Sequence, residues 1–500
     1  NFKDAQAMIE SFEKPSDYSK KIYPRILYGR ATELINDGQL SEADALLTKV
    51  LADPYNRSVL PLAQFWKGEI GYRNKELDTA IKYYQLYVSA GSPASGEANL
   101  KNARYNLGYC YLRKENYPVA LSYFEPYSKN PALNSDAFTQ DAYIRTADCY
   151  YMQKNYTGAK AMYDNVVKFS WPAEDYATFQ LAMLAGVKEP KQKIAMMNTM
   201  IRKFPKSSLT TDANLEIANT YMADEQFRDA IPYLNNVIQS DVNATIKAIA
   251  KLKLGTAYYN NDENENALKQ FKEIVSQYPK SPQAEDALDN IKTIYIEDGK
   301  PDEYASYMRE IGRPLNADVE DGLTYDAAEK YFDDQKLNEA INAFNSYLQK
   351  FPQGAHVLDA HNNLAEIYNT KKDWDRALQH YDYIVNNAPN QYAERAMLVA
   401  GRISFFEKKN YAAAERYYTQ LKELTTSQEN KLEAMRGILR SQYQLQKWAD
   451  ALQNAKDLTA AKGSSADDKA LANMAIAKSL EASGQYAEAI TNFKSVIQLN

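Results

Sequence analysis

The sequence predicts an all-α protein, an α-solenoid of about thirteen stacked helix–turn–helix hairpins. Apolar residues recur in one pattern about every 37 residues along nearly the whole chain of 500 residues. Turn formers are scarce, with 18 Gly and 18 Pro, whereas a large all-β protein needs a turn roughly every 8–12 residues. Stacked hairpins bury their apolar faces against their neighbours, so we expect one continuous superhelix and not several globular domains.

The second helix of each unit is predicted from an aromatic residue followed by Ala, an aromatic or Leu, and an apolar residue at offsets of 3, 4 and 3. Segments 154–166 (KNYTGAKAMYDNV) and 372–384 (KDWDRALQHYDYI) show this pattern, which places all four residues on one helical face. The Ala position is occupied by Ala43, Ala80, Ala120, Ala159, Ala230, Ala267, Ala340, Ala377, Ala414, Ala451 and Ala489. Lys193 and Tyr304 occupy it in the fifth and eighth units.

The first helix is predicted from a small residue twelve positions before the Ala, often with an aromatic three positions later. Gly108 with Tyr111 and Ala365 with Tyr368 are examples. Small residues let two helices approach closely, and the ring fills the adjacent groove. Polar breaks separate the two helices, and a proline such as Pro389 follows the second helix, where it stops helix growth.

This unit resembles the tetratricopeptide repeat, on Leu107-Gly108, Tyr111, Tyr117, Ala120 and Phe124 in one unit and on the matching residues of most others. The family unit has about 34 residues, and the longer step here comes from joins such as Phe204-Pro205-Lys206-Ser207. Those joining segments are similar to the ones in bacterial cell-envelope members of the family. The resemblance implies a right-handed superhelix, partner binding on its concave face, and a location in the bacterial periplasm or at the outer-membrane periphery.

The departures from the repeat suggest where the array bends. Residues 1–16 are expected to be the second helix of a truncated preceding repeat, and both ends to be cut from a longer protein. Units 1–4 span 22–170, units 5–8 span 173–312 and units 9–13 span 319–500. Lys193 and Tyr304 are bulky where Ala is usual, so the fifth and eighth units are candidate bends, although ordinary drift among repeats gives the same pattern.

The composition points away from an enzyme, a cofactor and a metal site. The three histidines lack metal-binding spacing, and phosphate-binding and nucleophile-elbow motifs are absent from the sequence. His361 and His380 are expected to be packing or surface residues, and Cys110 and Cys149 to be small buried thiols. A net charge of −6 gives no reason to expect nucleic acid as a partner, and no apolar stretch is long enough to span a bilayer.

The candidate binding residues lie on the first helices near the N-terminus, where aromatic residues concentrate. The predicted partner-binding set is Tyr28, Phe65, Tyr72, Arg73, Tyr105, Tyr109, Arg113 and Tyr151. Exposed Tyr beside Arg is typical of binding hot spots, because rigid rings offer area at a low entropy cost. The alternative is that these rings pack between neighbouring repeats.

The leading functional hypothesis is a non-enzymatic scaffold or adaptor that binds a protein or peptide partner. Two alternatives stay open. One is a carbohydrate-binding helical-repeat protein, whose tyrosine rings would stack on sugars. The other is the regulatory arm of a larger enzyme whose catalytic domain lies outside this sequence.

Overall fold

The computed structural model describes residues 1–499, and within them it contains 27 α-helices and no β-strand. The helices are α1 (Phe2–Glu10), α2 (Asp17–Asn36), α3 (Leu40–Ala52), α4 (Leu60–Arg73), α5 (Leu77–Ser89), α6 (Leu100–Arg113), α7 (Tyr117–Phe124), α8 (Ala137–Met152), α9 (Tyr156–Lys168), α10 (Glu174–Gly186), α11 (Pro190–Lys203), α12 (Thr210–Ala223), α13 (Phe227–Gln239), α14 (Ala244–Tyr259), α15 (Asn264–Gln277), α16 (Pro282–Glu297), α17 (Pro301–Glu310), α18 (Ala317–Asp333), α19 (Leu337–Lys350), α20 (Val357–Thr370), α21 (Trp374–Asn386), α22 (Ala393–Arg402), α23 (Tyr411–Leu424), α24 (Gln428–Gln444), α25 (Trp448–Ala460), α26 (Ala466–Ala482) and α27 (Tyr486–Leu499). Helix α22 continues into a π-helical turn, Ile403–Glu407.

From α2 onward the described helices form thirteen pairs in chain order, which confirms the predicted number of repeats. Nearly every pair is joined by three residues, for example 74–76 between α4 and α5. In each of these turns except 187–189, one residue has a left-handed backbone, and it is often not glycine: Lys75 has φ 65° and Gln446 has φ 56°. This conformation costs an L-residue about 1–2 kcal/mol, so the packing of the two helices must hold each turn in place.

The chain divides into two compact units, Asn1–Ala267 and the residues from Leu268 onward. In the first unit, α1 packs on α2, and the helices from α2 to α14 pack against their neighbours in sequence. In the second unit, α16 packs on both α17 and α18, and the helices from α18 to α27 again pack in sequence. Contact between sequential neighbours is the packing expected of a helical solenoid.

The residues that define the repeat pattern form the core of each unit. Each Ala predicted at the second-helix position is at most 2% exposed. The small first-helix residues permit close approach, because a Cβ added to Gly68 would lie 2.9 Å from the Tyr84 ring and one added to Gly108 would lie 2.8 Å from the Phe124 ring. The helix pattern read from the sequence is therefore the packing pattern of the core.

The two irregular units accommodate their large residues in different ways. The Lys193 side chain occupies the space beside Gly186, where a Cβ would lie 2.6 Å from it, and its amine forms an ion pair of 2.6 Å with Glu216. Because of this compensation, α10 and α11 pack as closely as other pairs. Tyr304 is buried beside Tyr295, and α16 and α17 touch over a much shorter stretch. The domain limits and the bends at these units stay predictions.

Cys110 and Cys149 are buried free thiols, as expected from their equivalent positions in neighbouring units. Burial raises the pKa of each thiol to about 12, which keeps it protonated and unreactive. Among the described residues, no helix has the length and apolar character needed to cross a membrane.

Candidate partner-binding surface

The predicted binding residues lie on first helices of the first unit: Tyr28 on α2, Phe65, Tyr72 and Arg73 on α4, Tyr105, Tyr109 and Arg113 on α6, and Tyr151 on α8. Helices α4 and α6 are in direct contact, so neighbouring first helices bring some of these residues together. We use the name aromatic surface for Tyr72, Arg113, Tyr105, Tyr109 and Phe138, which form the two clusters described next.

The first cluster joins α4 to α6 through a cation–π contact. The guanidinium carbon of Arg113 lies 4.3 Å from the centre of the Tyr72 ring. Arg113 is exposed and the ring is half-buried, so one side of the pair faces solvent. Burial raises the pKa of Tyr72, although Arg113 acts against this rise. Arg73 is exposed too, but it turns back to Glu69, 2.7 Å away, and takes no part in the cluster.

The second cluster joins α6 to α8 through a shared carboxylate. Tyr105 and Tyr109 meet edge to face at 5.0 Å, and both hydroxyls donate to the same oxygen of Asp141, at 2.5 and 2.6 Å. Phe138 lies 4.5 Å from the Tyr105 ring, and the Lys101 amine stands 3.7 Å above Phe138. Burial, then the bond to Asp141, raises the pKa of both tyrosines. The rings are half-buried and fixed in orientation.

A buried polar network continues from this cluster toward α10. Arg145 contacts Asp141 at 3.4 Å and Asp148 at 2.5 Å, and Asp148 accepts hydrogen bonds from Tyr163 and Tyr176 at 2.6 and 2.9 Å. Burial raises the pKa of Asp148, while Arg145 and the two hydroxyls lower it. The network couples hairpins three to five and leaves few free hydrogen-bonding groups.

Three of the predicted residues are placed differently from the expectation. Phe65 is 2% exposed and packs edge to face on Trp66, Tyr84 and Tyr87, so it is a core residue and presents no surface to a partner. The half-buried Tyr28 accepts a hydrogen bond of 3.2 Å from the Trp66 indole. Tyr151 packs at 5.7 Å on Tyr156, away from both clusters. Packing between the helices therefore accounts for Phe65 and for the buried part of the Tyr28 side chain.

Tyrosine hydroxyls recurrently donate to acceptors on an adjoining hairpin, a pairing that was not predicted from the sequence. The pairs include Tyr105–Asp141, Tyr176–Asp148, Tyr331–Asp298, Tyr392–Asp359 and Tyr417–Asp382. The separations range from 28 to 36 residues, which puts the two residues on adjoining hairpins. Because the spacing varies, and because Tyr331 donates to a backbone carbonyl, a fixed sequence interval does not identify these pairs. Part of the high tyrosine content, 40 of 500 residues, is thus used in joining neighbouring hairpins.

A histidine pair lies within the hairpin of α20 and α21 in the second unit. The Nδ1 atoms of His361 and His380 are 2.9 Å apart, so one ring donates a proton and the other accepts it. His361 stacks on Tyr383 at 3.8 Å and His380 on Tyr368 at 5.7 Å. The pKa of each histidine is lowered to about 4, by burial in both cases and, for His361, also by the neighbouring His380 ring. Of the two predicted roles, packing or surface, this arrangement is packing.

The paired helices make this a helical-repeat protein. A family model described as tetratricopeptide repeat matches residues 28–95 and 325–392, and one described as tetratricopeptide repeat-like domain matches residues 146–303. The chain therefore contains tetratricopeptide repeat domains. Proteins with these repeats generally mediate protein–protein interactions and are typically not catalytic. No curated protein matches the chain.

Several solved structures align with the chain at low identity. A tetratricopeptide repeat protein from Parabacteroides merdae is 17% identical, covering 54% of this chain and 98% of its own, with a TM-score of 0.37. PilF of Pseudomonas aeruginosa is 15% identical, covering 46% and 97%, with a TM-score of 0.33. The Naa15/Naa10 complex bound to HypK-THB is 13% identical, covering 95% and 75%, with a TM-score of 0.31. Scores this low carry no functional argument.

Proposed function

We propose that this protein is a scaffold that binds a protein or peptide partner on the aromatic surface of hairpins two to four. The observation that carries the proposal is the fixed, half-exposed pair Tyr105 and Tyr109, whose hydroxyls are both held by Asp141. Tyrosine and arginine are the residues most enriched at the energetic centres of protein interfaces.

The fixed geometry favours binding because the rings lose little freedom when a partner arrives. Ordering a mobile side chain at an interface costs about 0.5–1.5 kcal/mol. Here that cost is already met within the folded chain, since Asp141 orients both tyrosines and Tyr72 orients Arg113. A partner segment with apolar and acidic side chains would meet the half-exposed rings and the exposed cations of Arg113 and Lys101.

Hydrogen-bonding capacity favours a protein partner over a carbohydrate. Sugars are recognised through rings together with free polar groups, but one Asp141 oxygen accepts two tyrosine hydroxyls and Arg145 contacts the other. The bacterial envelope location implied by the family resemblance is part of this proposal. Fractionation of cells expressing the full reading frame tests it directly.

The test is selection of binding peptides from a displayed library, followed by measurement of Kd for the wild-type protein and three variants. We expect Tyr105→Ala and Tyr109→Ala each to weaken binding by at least about tenfold, as for hot-spot residues. Tyr18→Ala is the matched control, because Tyr18 is an exposed tyrosine of the same unit outside the aromatic surface. Circular dichroism confirms that each variant is folded.

Unchanged affinity in folded Tyr105→Ala and Tyr109→Ala proteins would show that these rings serve packing alone. Binding on a glycan array that is lost in the same variants would favour the carbohydrate alternative. Either result would contradict the proposed peptide site.

A further inference from the structure

The irregular eighth repeat contains a cavity of about 540 Å³ between α15, α16 and α17, in the second unit. Val275, Leu288 and Ile311 supply an apolar wall, and Lys272, Glu285 and Arg313 supply charged groups. Its volume lies in the range of about 300–1,000 Å³ typical of small-ligand sites. Its walls come from two second helices and the start of a first helix, and none of its lining residues belongs to the aromatic surface.

The cavity follows from the departures that mark this repeat in the sequence. Helix α17 has ten residues, against 14 in α19, and it carries Tyr304 where most second helices carry Ala. Gly312 then reverses the chain with φ 74°, and Arg313 returns to Glu285 through two hydrogen bonds of 3.1 and 2.8 Å. Because α17 is short and contacts α16 over a shorter stretch than in the regular hairpins, the cavity remains between them.

The charged group of greatest interest is Lys272, which is half-buried and lines the cavity. Its amine donates to the Tyr295 hydroxyl at 2.7 Å and lies 4.9 Å from the centre of the Tyr307 ring. It forms no ion pair with any carboxylate of the described residues. An ammonium group has three donors, so two are left for a ligand beside two aromatic rings.

The balance of charge indicates the kind of anion. The charged lining residues are two cations, Lys272 and Arg313, and two anions, Glu285 and Glu310, so the lining is neutral as a whole. Arg313 satisfies Glu285, and Glu310 is exposed. A neutral lining with one half-buried, unpaired ammonium suits a single negative charge and disfavours a polyanion such as a phosphorylated compound.

We infer that this cavity binds a monocarboxylate carried on an apolar group, with the carboxylate on Lys272 and the apolar part against Val275, Leu288 and Ile311. Such a group can come from the C-terminal residue of a peptide or from a free aliphatic acid. The inference does not depend on the proposed scaffold function.

Isothermal titration of the whole chain tests this with N-acetyl-leucine, which represents a peptide C-terminus, and with octanoate, which represents a free acid. We expect at least one acid to bind and its uncharged counterpart, N-acetyl-leucinamide or octanamide, to bind about tenfold or more weakly, because the charge-assisted hydrogen bonds are lost. The acid that binds more tightly shows whether the carboxylate comes from a peptide C-terminus or from a free acid. Failure of both acids, or equal binding of acid and amide, would overturn the inference.

Variants locate the site. Lys272→Met should abolish the preference for acid over amide, whereas Lys269→Met, which removes an exposed amine from the same helix outside the lining, should leave it unchanged. Retention of the preference in Lys272→Met would place binding elsewhere and refute the site. The comparison of acid with amide uses the wild-type protein, so it decides the ligand class even if a variant fails to fold.

Discussion

Acidification should destabilise the hairpin of α20 and α21 through His361 and His380. Their pKa values fall from 6.5 to about 4 on folding, so the fold favours the neutral rings. The resulting stability is fully present above pH 6.5 and is lost as the pH falls toward 4. A pKa difference of this size corresponds to at most about 3 kcal/mol for each ring, and solvent screening of these partly exposed rings reduces that value.

The shared hydrogen bond divides this loss into two steps. In the neutral pair, one ring donates from Nδ1 and has a free Nε2, which can take the first proton without breaking the bond. The second proton must go to the accepting Nδ1, which places two N–H groups against each other across 2.9 Å. We therefore expect two separate titrations, the second of them disrupting the contact.

The assay is urea unfolding between pH 7 and pH 4, combined with hydrogen exchange of the α20 and α21 amides. A doubly substituted protein, His361→Gln with His380→Gln, is the control, because its carboxylates titrate as in the wild-type protein. The difference in unfolding free energy between the two proteins should shrink by about 2 kcal/mol or more across this range. A constant difference, or NMR titration of both rings near pH 6.5, would refute the reasoning.

Two further predictions concern helix ends. Asp468 is the N3 partner of Ser465 in the capping box of α26, and its pKa is held at about 2 mainly by the hydrogen bond from Arg436 at 2.6 Å. The stabilisation is therefore lost as the pH falls from about 4 to 2, and Asp468→Asn should cost about 2 kcal/mol at pH 7. Hydrogen exchange in α26 should become faster in this variant, and unchanged exchange would contradict the prediction. Gly299→Ala should lower the unfolding free energy measured in urea by about 1–3 kcal/mol more than Gly38→Ala does. Both positions have positive φ, but only at Gly299 would the new Cβ meet a side chain, since the Tyr331 hydroxyl would lie 2.0 Å away. Equal losses in the two variants would exclude this steric explanation.

The fold could be predicted from the sequence because the same packing pattern recurs in each repeat. Ala80 or Gly108 alone carries little information, but their recurrence at fixed offsets identifies the buried face of each helix. The way in which the fifth hairpin accommodates the Lys193 side chain could not be predicted from the repeat pattern. It depends on Gly186 and Glu216, which lie outside the repeated positions.

The candidate site was predictable in composition but not in detail. Phe65 and Tyr105 lie on first helices at similar distances from the small residue, yet one is in the core and the other is half-exposed. Each stands three residues before the small residue of its helix, so the periodic pattern alone does not predict which ring is exposed. The contact of His361 with His380 requires the relative alignment of two helices, which spacing along one helix does not describe.

The three-residue turns within the hairpins also determine where the chain can change length. The connections between successive hairpins vary from three residues, 425–427, to twelve, 125–136, whereas the turns inside hairpins hardly vary. Insertions of peptide tags or recognition loops should therefore be tolerated at 90–99 or 125–136 and should disrupt packing at 74–76. Natural relatives with longer or shorter repeats are expected to differ at these connections, and engineered fusions should use them.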